Sequence, residues 1–139
     1  MILLDTNVIS ELMKKQGNHK VIAWVDRFPP RQVFISSISK AEIEFGIRIL
    51  PSGKKRNQLA EAASLALNAF KGCILPFNAN STLAFATIKA LRKNIGKPIS
   101  YADAQIAAIA IQHELQLATR NTVDFEYIED LSIVNPWDV

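Results

Sequence analysis

The sequence predicts a single α/β domain over residues 1–139, in which helices cover both faces of a central, mostly parallel sheet of four to five strands. Short runs of three or four apolar residues, typical of strands buried on both faces, recur along the chain. Stretches with apolar residues at helical spacing separate these runs, and no linker, internal repeat or low-complexity segment interrupts them. Strands that alternate with helices favour parallel pairing, because each helix carries the chain back across the sheet.

The first half of the chain contains two of the predicted strands. The first is 2–4, and it ends where Asp-Thr-Asn would otherwise bury polar side chains. A helix with apolar residues at 8, 9, 12 and 13 follows, and a second helical stripe at 21–28 stops at a Pro-Pro pair. The second strand is 33–35. Ser39-Lys40-Ala41-Glu42 has the spacing of a capping box, which predicts that the next helix begins there.

The second half repeats this alternation. An Ala- and Leu-rich helix is predicted at 54–71 and a third strand at 73–75, before a helix capped by Asn78 or Asn80. Ser100-Tyr101-Ala102-Asp103 repeats the cap-to-acid spacing ahead of a helix at 104–115 that has little polar face. We therefore expect this helix to be buried on most sides. The remaining predicted elements are strands at 117–119 and 131–134, with a loop or helical turn at 124–125 between them.

Composition indicates a globular, cytosolic protein. The chain is 49% hydrophobic and 21% charged, which is typical of folded domains and not of disordered ones. No uncharged stretch is long enough to span a bilayer and no basic leader precedes an apolar run, so we expect neither a membrane segment nor a signal peptide. The one cysteine, Cys73, excludes an internal disulfide, and its strand-like surroundings favour a packed thiol.

The charges are unevenly distributed although the net charge is only +3. Basic residues cluster at 54–56 and again at 89–97, whereas 124–139 contains acids and no base. This distribution is compatible with a polyanionic partner on one side of the molecule. Solvated helix faces explain the same charges, so charge alone leaves both interpretations open.

Three acids lie where a strand gives way to a helix or at a helix N-terminus: Asp5, Glu42 and Asp103. A fourth position follows the strand at 117–119, at Asn121 or Asp124. Strand ends of one kind share one edge of a parallel sheet, so we expect these side chains to line one cleft. Clustered carboxylates repel one another unless a cation lies among them, and oxygen-only ligands suit Mg²⁺ or Mn²⁺. Such a site can activate water for attack on a phosphodiester, although helix capping alone also explains each acid.

Four segments and a short ending stand in a defined order along the chain: LLDTNVISE at 3–11, SSISKAEIEFG at 36–46, ISYADAQIAA at 99–108, LATRNTVDF at 117–125 and NPW at 135–137. In sequence and separation they resemble the motifs of the PIN-domain family. The resemblance is closest to toxins of the VapC and FitB type from bacterial type II toxin–antitoxin pairs, and it spans essentially the whole chain.

The resemblance implies a Rossmann-like PIN fold, a homodimer, and a Mg²⁺- or Mn²⁺-dependent endoribonuclease held inactive by a VapB- or FitA-like antitoxin. Operator DNA is then contacted only through that antitoxin. The family's acidic triad falls on Asp5, Glu42 and Asp103, which are the expected catalytic acids and metal ligands, with Asn121 or Asp124 as a fourth ligand. The residues expected to line the site are Thr6, Asn7, Thr119, Asn121 and Asp124. The basic residues expected to hold the RNA backbone are Lys40, Lys54, Lys55, Arg56 and Arg120.

Two other functions stay open on the sequence alone. The chain could act mainly as a non-catalytic binding subunit of a DNA-binding toxin–antitoxin repressor, although retention of all three acids favours an active site. It could also be another Rossmann-like phosphohydrolase with Asp5 as nucleophile. That chemistry needs a second Asp two residues later, and the position holds Asn7.

Overall fold

The computed structural model describes all residues from 1 to 139. Its centre is one sheet of five parallel strands in the order β3-β2-β1-β4-β5. This confirms the predicted parallel sheet and puts β1 in the middle, paired with β2 on one side and β4 on the other. The strands are β1 (Ile2–Leu4), β2 (Val33–Ser36), β3 (Ile74–Leu75), β4 (Gln116–Ala118) and β5 (Ile133–Val134).

Six α-helices flank the sheet, and three short 3-10 turns connect elements. None of the helices has the length and apolar character needed to cross a membrane. The helices are α1 (Thr6–Met13), α2 (His19–Asp26), α3 (Ser37–Arg48), α4 (Lys54–Ala69), α5 (Thr82–Asn94) and α6 (Tyr101–Gln112). The 3-10 turns are Pro30–Gln32, Ala79–Ser81 and Thr122–Phe125.

The central strand divides the core into two clusters, because successive side chains of a strand point to opposite faces. Leu3 lies in a cluster with residues of α5 and α6, whereas Ile2 and Leu4 lie in a cluster with residues of α1 to α4. Residues 106–110 of α6 are all buried, which confirms the prediction of a helix enclosed on most sides. Helices therefore cover both faces of the sheet, as predicted.

The start of α3 differs from the prediction. The helix begins at Ser37, and Ser36 is its N-cap, with Oγ accepting a hydrogen bond from the backbone N–H of Ser39 at 3.0 Å. The capping box predicted at Ser39 is therefore wrong, and Glu42 lies in the second turn of the helix. At α6 the predicted cap is present: Ser100 Oγ accepts from the backbone N–H of Asp103 at 3.1 Å.

The three central strands end together at one edge of the sheet. Asp5 follows β1 and its backbone N–H donates to the carbonyl of Ala118 at the end of β4, at 2.9 Å. Ser36 closes β2 next to it, and Thr119 follows β4. This carboxyl edge is where open α/β sheets bind ligands, and the predicted site residues are grouped around it.

Candidate active site

Asp5 is the most enclosed acid of the carboxyl edge, with only 4% of its surface exposed. It is the N-cap of α1, and its Oδ1 accepts from the backbone N–H of Thr6 at 2.8 Å. Its Oδ2 accepts from Thr119 Oγ1 at 2.8 Å and from Asn7 Nδ2 at 3.1 Å. Burial, with a smaller contribution from the charge of Glu42, raises the pKa of Asp5, and the three hydrogen bonds oppose that rise.

Asn7 and Thr119 orient the carboxylate of Asp5 through hydrogen bonds to its Oδ2. Thr119 is fully buried, and its Oγ1 accepts from the backbone N–H of Asn121 at 3.1 Å while it donates to Asp5. Asn7 Oδ1 accepts from the backbone N–H of Arg120 at 3.1 Å. The two side chains thus join the turn after β1 to the turn after β4, and they fix the rotamer of Asp5.

Glu42 reaches the same edge from α3. Its carboxylate is exposed, and Thr6 Oγ1 donates to its Oε1 at 2.7 Å. Thr6 Oγ1 also lies 2.9 Å from the Oγ of buried Ser39. Thr6 therefore bridges α1 and α3. Because Glu42 is not in the first turn of its helix, capping does not account for its position.

Asp103 is the third acid, at the third helical position of α6, and it is half-buried. Its pKa is raised to about 6, first by burial and then by the negative charges of Asp5, Asp124 and Glu42, against a lowering by the hydrogen bond from Ser100. Carboxylates perturb one another in this way only when they are close. The structure therefore brings the three acids predicted from the sequence, together with Asp124, into one electrostatic cluster.

The two candidates for the fourth position occupy different places. Asn121 immediately precedes the 3-10 turn Thr122–Phe125, and its side chain makes no hydrogen bond. Asp124 lies inside that turn, where its backbone N–H donates to the carbonyl of Asn121 at 3.0 Å. Both side chains are exposed. Asp124 is the one whose charge acts on Asp103.

Arg92 is a buried residue of this region that sequence reasoning missed. Only 5% of it is exposed, its Nε donates to the carbonyl of Lys97 at 2.7 Å, and its Nη1 donates to the carbonyls of Asp124 and Glu126 at 2.8 and 3.0 Å. It ties the turn that carries Asp124 to the loop before α6. The sequence left two interpretations of the basic run at 89–97 open, a polyanionic partner and a solvated helix face, and the buried Arg92 fits neither.

Of the five basic residues predicted to hold RNA, Lys55 is the one that lines a groove together with an acid of the site. Lys55 lines a groove of about 420 Å³ that Thr6 and Glu42 also line. Lys40 forms an ion pair with Glu44 at 2.9 Å, on the side of α3 that faces α4. The remaining three are Lys54, which is exposed, Arg56, whose Nη1 lies 3.5 Å from Ser52 Oγ, and Arg120, whose guanidinium lies 4.9 Å from the centre of the Trp137 ring.

The donor set of the cluster suits a hard divalent cation. It consists of carboxylate oxygens with hydroxyl and amide groups nearby, and neither histidine nor the cysteine contributes. No three His, Cys, Asp or Glu side chains converge on a single point, so the acids line the cleft without forming a closed cage. Burial contributes most to the raised pKa of Asp103, and a cation among the acids would relieve the repulsion that adds to it.

Comparison with known protein families matches residues 2–131 to the PIN domain. The chain belongs to the PIN-domain family. The match covers the first four of the five strands and all of the acids described above. It confirms the family resemblance of the sequence motifs.

Two curated relatives of this PIN-domain chain match almost their whole length. Toxin FitB of Neisseria gonorrhoeae is 44% identical over 138 residues, which are 99% of each chain. The VapC ribonuclease Y4jK of Sinorhizobium fredii is 40% identical over 139 residues, again 99% of each chain. One relative is thus named a toxin and the other a ribonuclease.

Solved structures share the fold of this PIN domain. The structure of FitAB bound to an IR36 DNA fragment matches with a TM-score of 0.89 and 43% identity, covering 100% of this chain and 97% of the other. A toxin–antitoxin complex from Klebsiella pneumoniae matches with a TM-score of 0.72 and 29% identity, covering 100% of both chains. Both relatives were therefore captured as parts of larger assemblies.

Proposed function

We propose that this PIN domain is the toxin of a type II toxin–antitoxin pair and acts as a divalent-metal-dependent endoribonuclease. The observation that carries the proposal is the group of acids at the carboxyl edge, where Thr6 is hydrogen-bonded to both Asp5 and Glu42 and where burial and the charges of three other carboxylates raise the pKa of Asp103. A cluster of like charges that is held together by the fold is typical of sites that bind cations and phosphates. The names of the FitB and VapC relatives support the same conclusion.

Asp5, Glu42 and Asp103 are the residues that would hold Mg²⁺ or Mn²⁺, with Asn121 or Asp124 as a fourth ligand. Between the last two, the charge of Asp124 on Asp103 favours Asp124. When bound, the cation activates water and offsets negative charge at the scissile phosphate. Thr119 and Asn7 keep Asp5 in one orientation, so this ligand needs no reorganisation on binding.

The basic side chains around the cleft would position the RNA backbone. Lys55 shares a groove with Glu42, and Arg120 follows directly on Thr119, so both lie beside the acids. Lys40, Lys54 and Arg56 extend the positive surface along α3 and α4. Binding through phosphate contacts weakens as salt rises, so RNA affinity is expected to fall steeply with ionic strength.

The groove beside Glu42 also suits an inhibiting antitoxin. It runs from Thr6 and Glu42 along apolar side chains of α3 and α4, including Ile43, Ile47 and Leu59. A VapB- or FitA-like segment seated there would block access to the acids. We propose that the chain acts in the cytoplasm as a homodimer, and that it reaches operator DNA only through the antitoxin, in keeping with the FitAB complex on DNA.

The decisive test is Asp5→Asn, which keeps the size and the capping oxygen of the side chain and removes its charge. Antitoxin-free wild type should cut RNA in Mg²⁺, and Asp5→Asn should lose that activity and bind Mn²⁺ more weakly by electron paramagnetic resonance. Asp26→Asn, an exposed acid at the end of α2, is the matched control and should behave as wild type. Equal cleavage by Asp5→Asn and wild type would reject the assignment.

The solved FitAB–DNA complex favours a second candidate, a binding subunit of a repressor with no nuclease activity. The two functions separate in one assay. A nuclease cuts RNA when the antitoxin is absent, and a pure binding subunit leaves the RNA intact while it still raises the antitoxin's affinity for operator DNA.

A further inference from the structure

Tyr101 is a large, exposed aromatic side chain on α6, the helix that also carries Asp103. It is the first residue of α6, two positions before Asp103, and 70% of it is exposed. Tyr is only a moderate helix former, and its exposed ring adds little to folding because it removes little apolar surface from water. Neither capping nor burial accounts for an aromatic residue at this position.

The ring of Tyr101 is nevertheless held firmly in place. Phe85 of α5 stacks against it, with ring centres 6.0 Å apart and planes 19° apart. Phe85 is itself anchored by an edge-on contact with Phe77, at 5.6 Å. Lys89 Nζ lies 4.4 Å from the centre of the Tyr101 ring and donates to the backbone carbonyl of Ile99, just before α6. An exposed ring held by two neighbours, one of them anchored in turn, is preorganised, so a ligand that stacks on it loses little freedom in ordering it.

Both supporting side chains approach from α5. Phe85 and Lys89 are four residues apart, so they lie one turn apart on the same face of that helix. They support the ring from one direction, and the 70% exposure shows that the rest of the ring is open to solvent. The exposed part of the ring is apolar, and the ammonium group of Lys89 lies over the same ring at 4.4 Å, so the pair offers a stacking surface for a base and a charge for a phosphate.

The position relative to Asp103 defines which nucleotide this surface can reach. Residues two apart on a helix point about 200° apart around its axis, so Tyr101 and Asp103 leave α6 on nearly opposite sides of its N-terminus. A base on Tyr101 therefore belongs to a different nucleotide from the one whose phosphate lies at the acids. An extended single strand can pass around the end of the helix and contact both.

We propose that Tyr101, supported by Phe85 and Lys89, is a stacking subsite for an unpaired nucleobase of the RNA, at a nucleotide other than the one that is cut. This inference rests on the proposed nuclease function and adds a substrate feature to it: the RNA is single-stranded at that nucleotide. Stacking on an aromatic ring tolerates any base, and it favours strands whose bases are free. The subsite selects RNA structure more than RNA sequence.

The test measures binding without cleavage, in an Asp5→Asn background, by fluorescence anisotropy of a short single-stranded RNA of mixed sequence. Tyr101→Ala should weaken binding by roughly 5- to 150-fold, the range for loss of one base–aromatic stack. Tyr101→Phe keeps the ring and should bind as its parent. The matched control is Tyr127→Ala, an exposed tyrosine with Lys97 5.0 Å from its ring centre, which should also leave binding unchanged.

An abasic RNA of the same length separates stacking from other effects. If Tyr101 stacks on a base, Tyr101→Ala and its parent bind the abasic strand equally. Equal weakening towards both strands would assign the effect to the backbone or to the fold and would overturn the inference. A Tyr101→Ala protein that binds RNA normally but changes oligomeric state by light scattering would overturn it too, because the ring would then belong to an interface between copies.

Failure of the inference is distinguishable from failure of the nuclease function. Wild type with an intact Asp5 is assayed for RNA cleavage in parallel. Absence of cleavage rejects the nuclease, whatever Tyr101 does, whereas cleavage together with unchanged RNA binding by Tyr101→Ala rejects only the stacking subsite.

Discussion

Asp103→Asn should make the metal-free protein more stable while it removes the proposed activity. The substitution keeps the shape of the side chain and removes one negative charge from a cluster in which Asp5, Asp124 and Glu42 repel it. Burial adds to the penalty on the charged form. An uncharged amide avoids both costs, so the folded state gains relative to the unfolded state, in which the acid is fully solvated.

The size of the gain follows from the shift in pKa. Raising the pKa of Asp103 from 3.8 to about 6 corresponds to about 3 kcal/mol at neutral pH. Solvent screening reduces this figure because the side chain is only half-buried, and the N-terminus of α6 favours the negative charge by ~0.3–1 kcal/mol. We therefore expect Asp103→Asn to raise the free energy of unfolding by about 1–2 kcal/mol.

The pH dependence fixes the sign of the effect. Because the folded pKa lies above the unfolded one, the folded state holds its proton in the window between 3.8 and about 6, and the unfolded state releases it. The contribution of Asp103 to the free energy of unfolding of wild type is fully present below this pH window and is lost as the pH rises through it. Urea unfolding with a chelator present should therefore show the gain of Asp103→Asn at about pH 7.5 and a much smaller one at about pH 4.5.

The control is Glu129→Gln, which removes an exposed acid that forms no ion pair and should change stability little at either pH. Added Mg²⁺ should stabilise wild type and should stabilise Asp103→Asn less, because one ligand has lost its charge. If Asp103→Asn is no more stable than wild type without metal at neutral pH, the repulsion inferred from the structure is absent and the reasoning fails.

Substitutions at four further positions test the contacts of Asp5, two glycines and the turn that carries Asp124. Thr119→Val removes the hydroxyl that donates to Asp5 and should lower the free energy of unfolding, measured in urea, by ~1–3 kcal/mol. Thr119→Ser keeps a hydroxyl and should retain most of the wild-type stability. Gly17→Ala places a Cβ 2.6 Å from a backbone carbonyl oxygen of α1 and should destabilise the protein by ~1–3 kcal/mol. Gly46→Ala places a Cβ with no atom within 4 Å and should stabilise the protein by up to ~1 kcal/mol through α3. Thermal unfolding temperatures that shift in the same direction for both variants would contradict this. Arg92→Met leaves three carbonyls without their donor, so amide exchange in the 3-10 turn Thr122–Phe125 should accelerate while β1 stays protected; unchanged exchange there would show that the guanidinium does not hold the turn.

The sheet and the location of the acids could be predicted because both follow from local pattern. Apolar runs of strand length alternating with helical stripes fix a parallel sheet, and a parallel sheet puts all its strand ends of one kind on one edge. Asp5 and Asp103 are each next to a run whose periodicity is unambiguous. Their proximity was therefore predictable from element order alone, without any knowledge of side-chain contacts.

The start of α3 was not predictable because Ser36 and Ser39 are equally good caps by residue type. The choice is made by the sheet: Ser36 is the last residue of β2 and pairs with Leu75 of β3, so the chain must turn directly after it. The role of Arg92 was hidden for a related reason. Its acceptors at 124 and 126 lie more than thirty residues away in sequence, and a basic residue on a helix gives no local sign of them.

The acid cluster is placed where the backbone has least freedom to relieve its repulsion. Asp5 follows the central strand, which is paired on both sides, and its own N–H is bonded to Ala118. Asp103 is fixed by the cap of a helix that is buried along most of its length. Backbone movement away from the other charges would break sheet or helix hydrogen bonds at about 1 kcal/mol or more each. The repulsion is therefore retained in the free protein, and a proton or a bound cation relieves it. Affinity for a metal ion and higher stability of the protein at low pH are therefore two consequences of the same arrangement of acids.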